Sequence, residues 1–254
     1  MAKVIAIANQ KGGVAKTTTA AAMAAGLLRR GYKVLAVDLD AQGNLSDSVG
    51  ADEQGATTYE LMKGSETAVN AIQKTSIYDI IPANLSLASA DMEFTQTGRE
   101  YRLKKALTPV MDIYDYIILD TPPTLGIMTV NAFICCDEVI IPASGVDGVK
   151  GITNLYNTIE TVRDFGNANL RIAGILLTMY NSRTIIDKNI KELAELIGAP
   201  LNIPLFQTAI RASVSVDEAK ANRIDIFSYN EKNNVSVDYN DFVDEYLDKV
   251  RGDK

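Results

Sequence analysis

One stretch near the start of the chain combines two lysines, two adjacent glycines and two threonines. These eight residues are, in order, Lys11, Gly12, Gly13, Val14, Ala15, Lys16, Thr17 and Thr18. An apolar run precedes them and a long alanine- and leucine-rich segment follows, an order that predicts a strand, a turn and a helix. Backbone N–H groups of such a turn attract an anion, and glycine lets the backbone wrap closely around it. The stretch therefore predicts a phosphate-binding loop, in which Lys16 reaches the β- and γ-phosphates and the Thr17 hydroxyl ligates Mg²⁺.

Three aspartates close two further apolar runs. Asp38 and Asp40 end the run that begins at residue 33, and Asp120 follows the apolar residues 116–119. Alternate residues of an extended strand share a face, so the Asp38 and Asp40 carboxylates can point the same way. Taken alone, such a pair is equally well explained as a solvated turn. An apolar strand ending in aspartate is the Walker B arrangement, in which the carboxylate holds Mg²⁺ directly or through water.

Composition excludes several classes of chemistry. The 254 residues include no histidine, which removes His-based triads, His-ligated zinc and histidine general bases. No apolar run approaches the ~20 residues that span a bilayer, and the N-terminus does not have the pattern of a signal peptide. The two cysteines are adjacent, so a structural disulfide between them is not expected. These features predict a reduced, cytoplasmic protein.

Strand and helix patterns alternate along the chain. Strands are predicted at residues 3–8, 33–38, 77–82, 116–120, 138–142 and 172–178. Helices are predicted at residues 16–30, 58–63, 99–111, 148–165, 187–197 and 239–250. This alternation predicts an α/β fold, with a mostly parallel twisted sheet, helices on both faces and a single domain over residues 1–254. Ligands of such sheets bind at the carboxyl ends of strands, where the loop and all three aspartates fall.

The loop resembles the deviant Walker A motif, K-G-G-x-x-K-S/T, of the ParA/MinD family of ATPases. That family usually has glycine where this chain has Ala15, and we expect a helix-start conformation there to tolerate the extra methyl group. Residues 121–124, Thr-Pro-Pro-Thr, resemble the family's second switch segment, whose usual form is D-x-P-P-S including the preceding aspartate. Residues 174–184 and 210–219 also resemble ParA segments, so the similarity covers nearly the whole chain.

The resemblance implies ATP and Mg²⁺ as cofactors, ATP hydrolysis as the reaction and a nucleotide-sandwich homodimer. Lys11 matches the lysine that crosses to the phosphates bound by the other subunit, and so joins Lys16 and Asp40 as a catalytic candidate. Asp40 matches the carboxylate that orients the attacking water. Asp38 matches an acidic position near the metal, beside Thr17 and Asp120.

The resemblance also implies binding to DNA. Arginines that match Arg183 and Arg211 contact DNA phosphates in chromosomal, Soj-like ParA proteins, and guanidinium groups suit that role. Solvated surface arginines are the alternative explanation. The net charge of −7 opposes non-specific DNA binding by the whole molecule, so a local basic patch, doubled by dimerisation, is required. A ParB-type partner is expected to stimulate hydrolysis, and the ATP-bound protein is expected on the nucleoid.

Two other interpretations stay open. The first is a MinD-like ATPase that positions proteins at a membrane or another surface. Residues 241–254 are amphipathic but acidic, whereas a membrane anchor of that type is basic, so no membrane partner is expected. The second is an ATP-dependent ligase that forms amides or carboxylates its substrate. The residues that contact adenine stay unassigned, because residues 203–206 do not match the spacing of the family's adenine segment.

Overall fold

The computed structural model describes residues 1–252, so the last two residues of the acidic segment 241–254 lie outside it. Within the described chain seven strands form one sheet in the order β3-β4-β2-β5-β1-β6-β7. Their bounds are β1 Lys3–Ile7, β2 Val34–Asp38, β3 Gln73–Lys74, β4 Asp79–Ile81, β5 Tyr116–Asp120, β6 Glu138–Ala143 and β7 Arg171–Leu177. Only β3 pairs antiparallel, with β4. The predicted α/β fold with a mostly parallel sheet is confirmed.

Helices connect these strands. In chain order they are α1 Lys16–Arg29, α2 Asn44–Ser48, α3 Thr58–Lys63, α4 Ala68–Ala71, α5 Ala90–Glu93, α6 Arg102–Leu107, α7 Ile127–Cys135, α8 Gly145–Phe165, α9 Ile185–Gly198, α10 Ser215–Ala221, α11 Ile226–Tyr229 and α12 Asn234–Gly252. Short 3₁₀ turns lie at Leu85–Ser89, Arg99–Tyr101, Thr108–Val110 and Ala199–Leu201. No helix in the described part of the chain is long and apolar enough to cross a membrane.

The sheet separates two apolar cores. Val4 and Ala6 of β1 belong to the core shared with α6, α7, α8 and α9, whereas Ile5 and Ile7 belong to the core shared with α1 and α12. Both faces of β1 are therefore buried, which explains why the strand reads as a continuous apolar run rather than an alternating one. Cys135 and Cys136 are buried, free thiols at the end of α7.

Two predictions about helices need correction. The helix predicted at residues 99–111 is only α6, with a 3₁₀ turn at each end, because Pro109 has no N–H to continue the hydrogen-bond pattern. Helix α7 was not predicted from the sequence. Eight of its nine residues are buried, so its sequence lacks the polar face on which a helical period is recognised.

A cluster of charged and polar groups around the buried Glu138 connects α12 to the amino-terminal end of β6, at the edge of the sheet opposite the carboxyl ends. Glu138, at the start of β6, is 5 % exposed. Its Oε1 contacts Lys3 Nζ at 2.9 Å and Arg171 Nη2 at 3.0 Å, and its Oε2 accepts a hydrogen bond from Tyr246 Oη at 2.8 Å. A buried carboxylate is tolerated because two cations and a hydroxyl satisfy it.

We expect Tyr246→Phe to lower the free energy of unfolding by about 1–2 kcal/mol, because it removes a donor from a buried charged acceptor. Urea unfolding followed by circular dichroism measures this change. Tyr229→Phe is the matched control, since the Tyr229 hydroxyl bonds Glu218 in an exposed setting. Equal destabilisation by the two substitutions would show that the Glu138 cluster does not anchor α12.

Candidate functional site

The phosphate loop, residues 11–18, lies between β1 and α1 at the carboxyl edge of the sheet. Gly13 has φ +75°, a left-handed conformation that favours glycine. A Cβ atom on Gly13 would meet nothing within 4 Å. Glycine is thus required there by the backbone conformation rather than by lack of space. The loop keeps its surface open toward a ligand.

Ala15 corrects one expectation. It was expected to take a helix-start conformation, but it lies in the left-handed region with φ 61° and ψ 32°. For an L-residue with a Cβ that region costs roughly 1–2 kcal/mol. The preference of the resembled family for glycine at this position therefore has a backbone cause. In this chain the loop is held in shape at a conformational cost.

The start of α1 presents unsatisfied positive groups to the loop. Ala15 is its N-cap and makes no side-chain capping bond, so the first N–H groups of α1 have no side-chain acceptor. Lys16 is 7 % exposed, and its Nζ donates to the Lys11 carbonyl at 3.1 Å. Burial lowers the pKa of Lys16, while the Asp120 and Asp40 carboxylates raise it. A buried ammonium beside free N–H groups forms an anion site.

Asp120 is the least satisfied group of the site. It ends β5, lies opposite Asp38 of β2 in the sheet register and is 1 % exposed. Neither of its carboxylate oxygens accepts a hydrogen bond within residues 1–252. Burial and the Asp38 carboxylate raise the pKa of Asp120 well above its usual range, and the nearby Thr17 and Lys16 side chains oppose them. In its ionised form this buried carboxylate requires a cation.

Mg²⁺ fits this requirement. The ion prefers oxygen ligands and keeps several waters, so one carboxylate, one hydroxyl and substrate phosphates are a sufficient set. Asp120, at the end of β5, supplies the carboxylate, and Thr17, in the first turn of α1, supplies the hydroxyl. Both residues were predicted from the sequence, and the structure brings them together.

Asp38, which the resemblance places near the metal, is hydrogen-bonded through both of its carboxylate oxygens. Its Oδ2 accepts hydrogen bonds from Ser46 N–H at 3.0 Å and Ser46 Oγ at 2.7 Å, and its Oδ1 accepts from Asp40 N–H at 3.1 Å. Burial raises the pKa of Asp38 to about 6, although these hydrogen bonds lower it. Asp38 is thus committed to holding the loop that carries Asp40.

Asp40 stands just beyond the end of β2 and is only partly buried. Its Oδ1 accepts a hydrogen bond from Gln42 N–H at 3.0 Å. With Asp38 bonded to its own N–H, the backbone of Asp40 is fixed from both sides. The side chain therefore has a defined position beside the phosphate loop while it keeps contact with solvent.

Lys11 points away from the groups around Lys16. Its Nζ lies 3.6 Å from Asp147 Oδ2 in the first turn of α8, and the two side chains are 51 % and 77 % exposed. An exposed pair of this kind contributes about 0–1 kcal/mol. The ammonium of Lys11 is therefore held weakly and is accessible to other anions.

A cavity of about 510 Å³ opens beside the phosphate loop. Gly13, Ala15 and Thr18 line one side, and Met179 and residues 210–214 line the other. Met179 is another non-glycine residue in the left-handed region, with φ 52°. A concave site with few charged groups, next to an anion site, suits the base and sugar of a nucleotide.

The sequence did not predict the side of the cavity that is formed by Met179 and residues 210–214. Leu205 forms a parallel bridge with Ile175 of β7, and Ile210 N–H donates to the Leu177 carbonyl at 2.8 Å. The chain after Leu205 therefore follows β7 to the carboxyl edge of the sheet. The available signal was the similarity at residues 210–219, within which only Arg211 was given a role, as a DNA contact.

The two arginines predicted to contact DNA have different surroundings. The Arg211 guanidinium donates three hydrogen bonds to Asp238 of α12, from Nε at 2.9 and 3.2 Å and from Nη2 at 2.6 Å, and these bonds raise its pKa. Arg183 is exposed in the turn between β7 and α9, and its one hydrogen bond within residues 1–252 runs from its backbone N–H to Asn181 Oδ1. Arg183 is free to bind an anion, whereas Arg211 is engaged at the wall of the cavity.

Comparison with known proteins shows what this chain is similar to. A protein-family model described as an AAA domain matches residues 2–172. The chain is 36 % identical over 251 residues to the sporulation initiation inhibitor protein Soj of Bacillus subtilis, covering 96 % of this chain and 98 % of that protein. It is 37 % identical over 233 residues to the chromosome-partitioning ATPase Soj of Treponema pallidum, covering 90 % of each chain.

A solved structure agrees as well. The crystal structure of cobyrinic acid a,c-diamide synthase from Mycobacterium smegmatis, with bound ATP analogue and magnesium, superposes with a TM-score of 0.85 at 31 % identity. The match covers 100 % of this chain and 98 % of that one. Together with the phosphate loop, these similarities over nearly the whole length show that the chain belongs to the ParA/Soj family of P-loop ATPases.

Proposed function

We propose that this protein hydrolyses ATP with Mg²⁺ and uses the reaction to partition DNA. The observation that carries the first part is Asp120, a buried carboxylate without a hydrogen-bond partner, set beside a loop with a buried lysine and free N–H groups. This arrangement requires both a cation and an anion, and a magnesium–nucleotide complex supplies both. The second part is supported by relatives that are named for chromosome partitioning.

The residues divide the work of hydrolysis. Lys16 and the first N–H groups of α1 neutralise the phosphates, and Thr17 and Asp120 hold Mg²⁺, which offsets negative charge on the β- and γ-phosphates when bound. Asp40 orients the water that attacks the γ-phosphate, and Asp38 fixes the Asp40 backbone. Catalysis of this kind is positioning and electrostatic stabilisation, so turnover without a partner is slow.

The active form in this proposal is an ATP-dependent homodimer of single-domain subunits, each formed by residues 1–254. Lys11 crosses to the phosphates of the other subunit. Its exposure and its weak ion pair with Asp147 support this role, because little free energy is lost when the ammonium leaves. Pro122 and Pro123 stiffen the segment after Asp120 and carry a change at the γ-phosphate toward the dimer face.

The dimer binds DNA without sequence preference, in the cytoplasm and on the nucleoid. A chain of net charge −7 needs a concentrated basic patch for this, and a dimer presents that patch twice. Arg183 is the leading phosphate contact, because its guanidinium is exposed. Arg211 contributes where its ion pair with Asp238 opens. A ParB-type protein at a centromere-like site stimulates hydrolysis, which releases the dimer.

Amide formation is the second candidate, favoured by the name of the similar Mycobacterium smegmatis protein. It predicts that ADP release depends on a small carboxylic acid and an amide nitrogen donor. Partitioning predicts instead that hydrolysis depends on DNA and a protein partner. A MinD-like positioning ATPase is the third candidate and predicts ATP-dependent binding to liposomes. Measuring ADP release and ATP-dependent binding with each of these additions separates the three.

We expect Lys16→Ala to weaken ATP binding by about 100-fold or more, because a buried ammonium that bonds the phosphates is lost. Isothermal titration calorimetry with a non-hydrolysable ATP analogue measures the affinity. Lys33→Ala, at an exposed lysine before β2, is the control and leaves the affinity unchanged. Near-normal affinity of Lys16→Ala would mean that residues 11–18 are not the phosphate site.

We expect Asp40→Ala to bind ATP normally but to hydrolyse it about 100- to 10,000-fold more slowly, because orientation of the attacking water matters mainly in the transition state. Size-exclusion chromatography with ATP then shows a dimer that persists. Asp47→Ala, at an exposed aspartate on α2, serves as the comparison. Hydrolysis by Asp40→Ala at the wild-type rate would assign the water to another residue.

We expect DNA binding only with ATP, with log affinity falling against log salt concentration by about 0.9 for each phosphate neutralised. Arg183→Ala removes one contact per subunit, so the slope of the dimer becomes shallower by about 2. Arg211→Ala is expected to change the slope less. Arg29→Ala is the control, because Arg29 lies on α1 and is paired with Glu231. A wild-type protein whose DNA binding does not respond to ATP or salt would exclude the partition function.

A further inference from the structure

A buried asparagine directly precedes the phosphate loop. Asn9 follows β1, is 2 % exposed and uses its whole side-chain amide. Its Nδ2 donates to the Pro142 carbonyl at 2.8 Å and to the Gly148 carbonyl at 3.1 Å, and its Oδ1 accepts from Lys11 N–H at 3.0 Å. Asn9 therefore connects the end of β6, the first turn of α8 and the backbone of Lys11.

The same turn of α8 packs closely against the loop. A Cβ on Gly148 would lie 3.1 Å from Val14 Cγ1, and a Cβ on Gly151 would lie 3.3 Å from Asn9 Oδ1. The two glycines thus let α8 approach until Asn9 can bond it. Asp147, the ion-pair partner of Lys11, belongs to this turn. The Asn9 amide consequently holds both the backbone of Lys11 and the turn of α8 that carries Asp147.

We propose that Asn9 is the positioning residue for Lys11. Its hydrogen bonds hold the Lys11 backbone at a fixed place and direction, so that the ammonium extends toward the phosphates of a second subunit. The exposed ion pair with Asp147 is too weak to do this, at about 0–1 kcal/mol. Asn9 instead anchors the Lys11 backbone through one part-buried hydrogen bond, and two buried hydrogen bonds hold the Asn9 side chain itself in place. The inference rests on the proposed ATP-dependent dimer, in which Lys11 acts on the other subunit's nucleotide.

This role separates two measurable quantities. The Lys11 ammonium does not serve the phosphates of its own subunit in the proposed dimer, and the Lys11 backbone touches that site only through its carbonyl, which accepts from Lys16. Loss of Asn9 therefore changes the ATP affinity of the monomer less than it changes the affinity of the dimer. It weakens the dimer, because the Lys11 backbone then samples directions from which the ammonium does not reach the partner. A purely structural role would instead lower stability and ATP affinity together.

The test compares Asn9→Ala with Asn131→Ala. Asn131 is a close match: it is fully buried, accepts from Leu103 N–H and donates to the carbonyls of Arg99 and Ile127. Sedimentation velocity with a non-hydrolysable ATP analogue gives the dimer dissociation constant, calorimetry gives the ATP affinity and thermal unfolding gives stability. We expect similar loss of stability in both variants, but a dimer weakened about tenfold only in Asn9→Ala, with ATP affinity within about threefold.

A double mutant decides whether Asn9 acts through Lys11. The dimer of Asn9→Ala with Lys11→Ala is expected to be no weaker than that of Lys11→Ala alone. Asn9→Ser replaces the alanine variant if the latter does not fold. A normal dimer in either Asn9 variant, or additive losses in the double mutant, would overturn this inference alone. A wild-type protein that stays monomeric with ATP would overturn the proposed dimer and this inference with it.

Discussion

The candidate site is organised around Asp120, a buried carboxylate that accepts no hydrogen bond within residues 1–252. The strand order places β5 between β1 and β2, so Asp120 ends the central strand beside the phosphate loop and opposite Asp38. Burying a charge without a partner is costly, and the cost is relieved when a cation and its anionic ligand bind. The order of the strands thus places the proposed magnesium ligand beside the proposed phosphate site.

The conformations around the cavity carry a related cost. Ala15 and Met179 both take left-handed backbone conformations, and both line the cavity beside the loop. Strain of about 1–2 kcal/mol at each position persists because surrounding bonds hold the backbone there. Thr178 Oγ1, for example, lies 3.1 Å from the Val14 carbonyl and links β7 to the loop. The pocket is therefore shaped before a ligand arrives, which lowers the entropy lost on binding.

Sequence alone predicted six of the seven described strands, the four longest described helices and the loop, because each rests on a local pattern. The apolar residues 116–119 followed by Asp120, for instance, predict both a buried strand and the position where it ends. Prediction from the sequence failed where a property of a residue depends on which residues lie near it in the folded structure. The two hydrogen bonds that Asp38 accepts from Ser46, eight positions later, are not evident from the sequence. Arg211 reads like a free cation until Asp238 of a distant helix is seen to bind it. The conformation of Ala15 depends on the path of the loop, which no residue type reports.

The two lysines of the loop show how burial divides roles that the sequence cannot separate. Lys16 is buried beside two carboxylates, so its ammonium is committed to a charge that enters the same pocket. Lys11 is the reverse case: its backbone is held by a buried amide, while its ammonium has only an exposed partner. Because an exposed ion pair contributes little free energy, the Lys11 ammonium can leave Asp147 at small cost. The Lys11 backbone stays in place because its N–H is hydrogen-bonded to Asn9. A fixed backbone with a loosely held charge is what a contact made only in an assembled dimer requires.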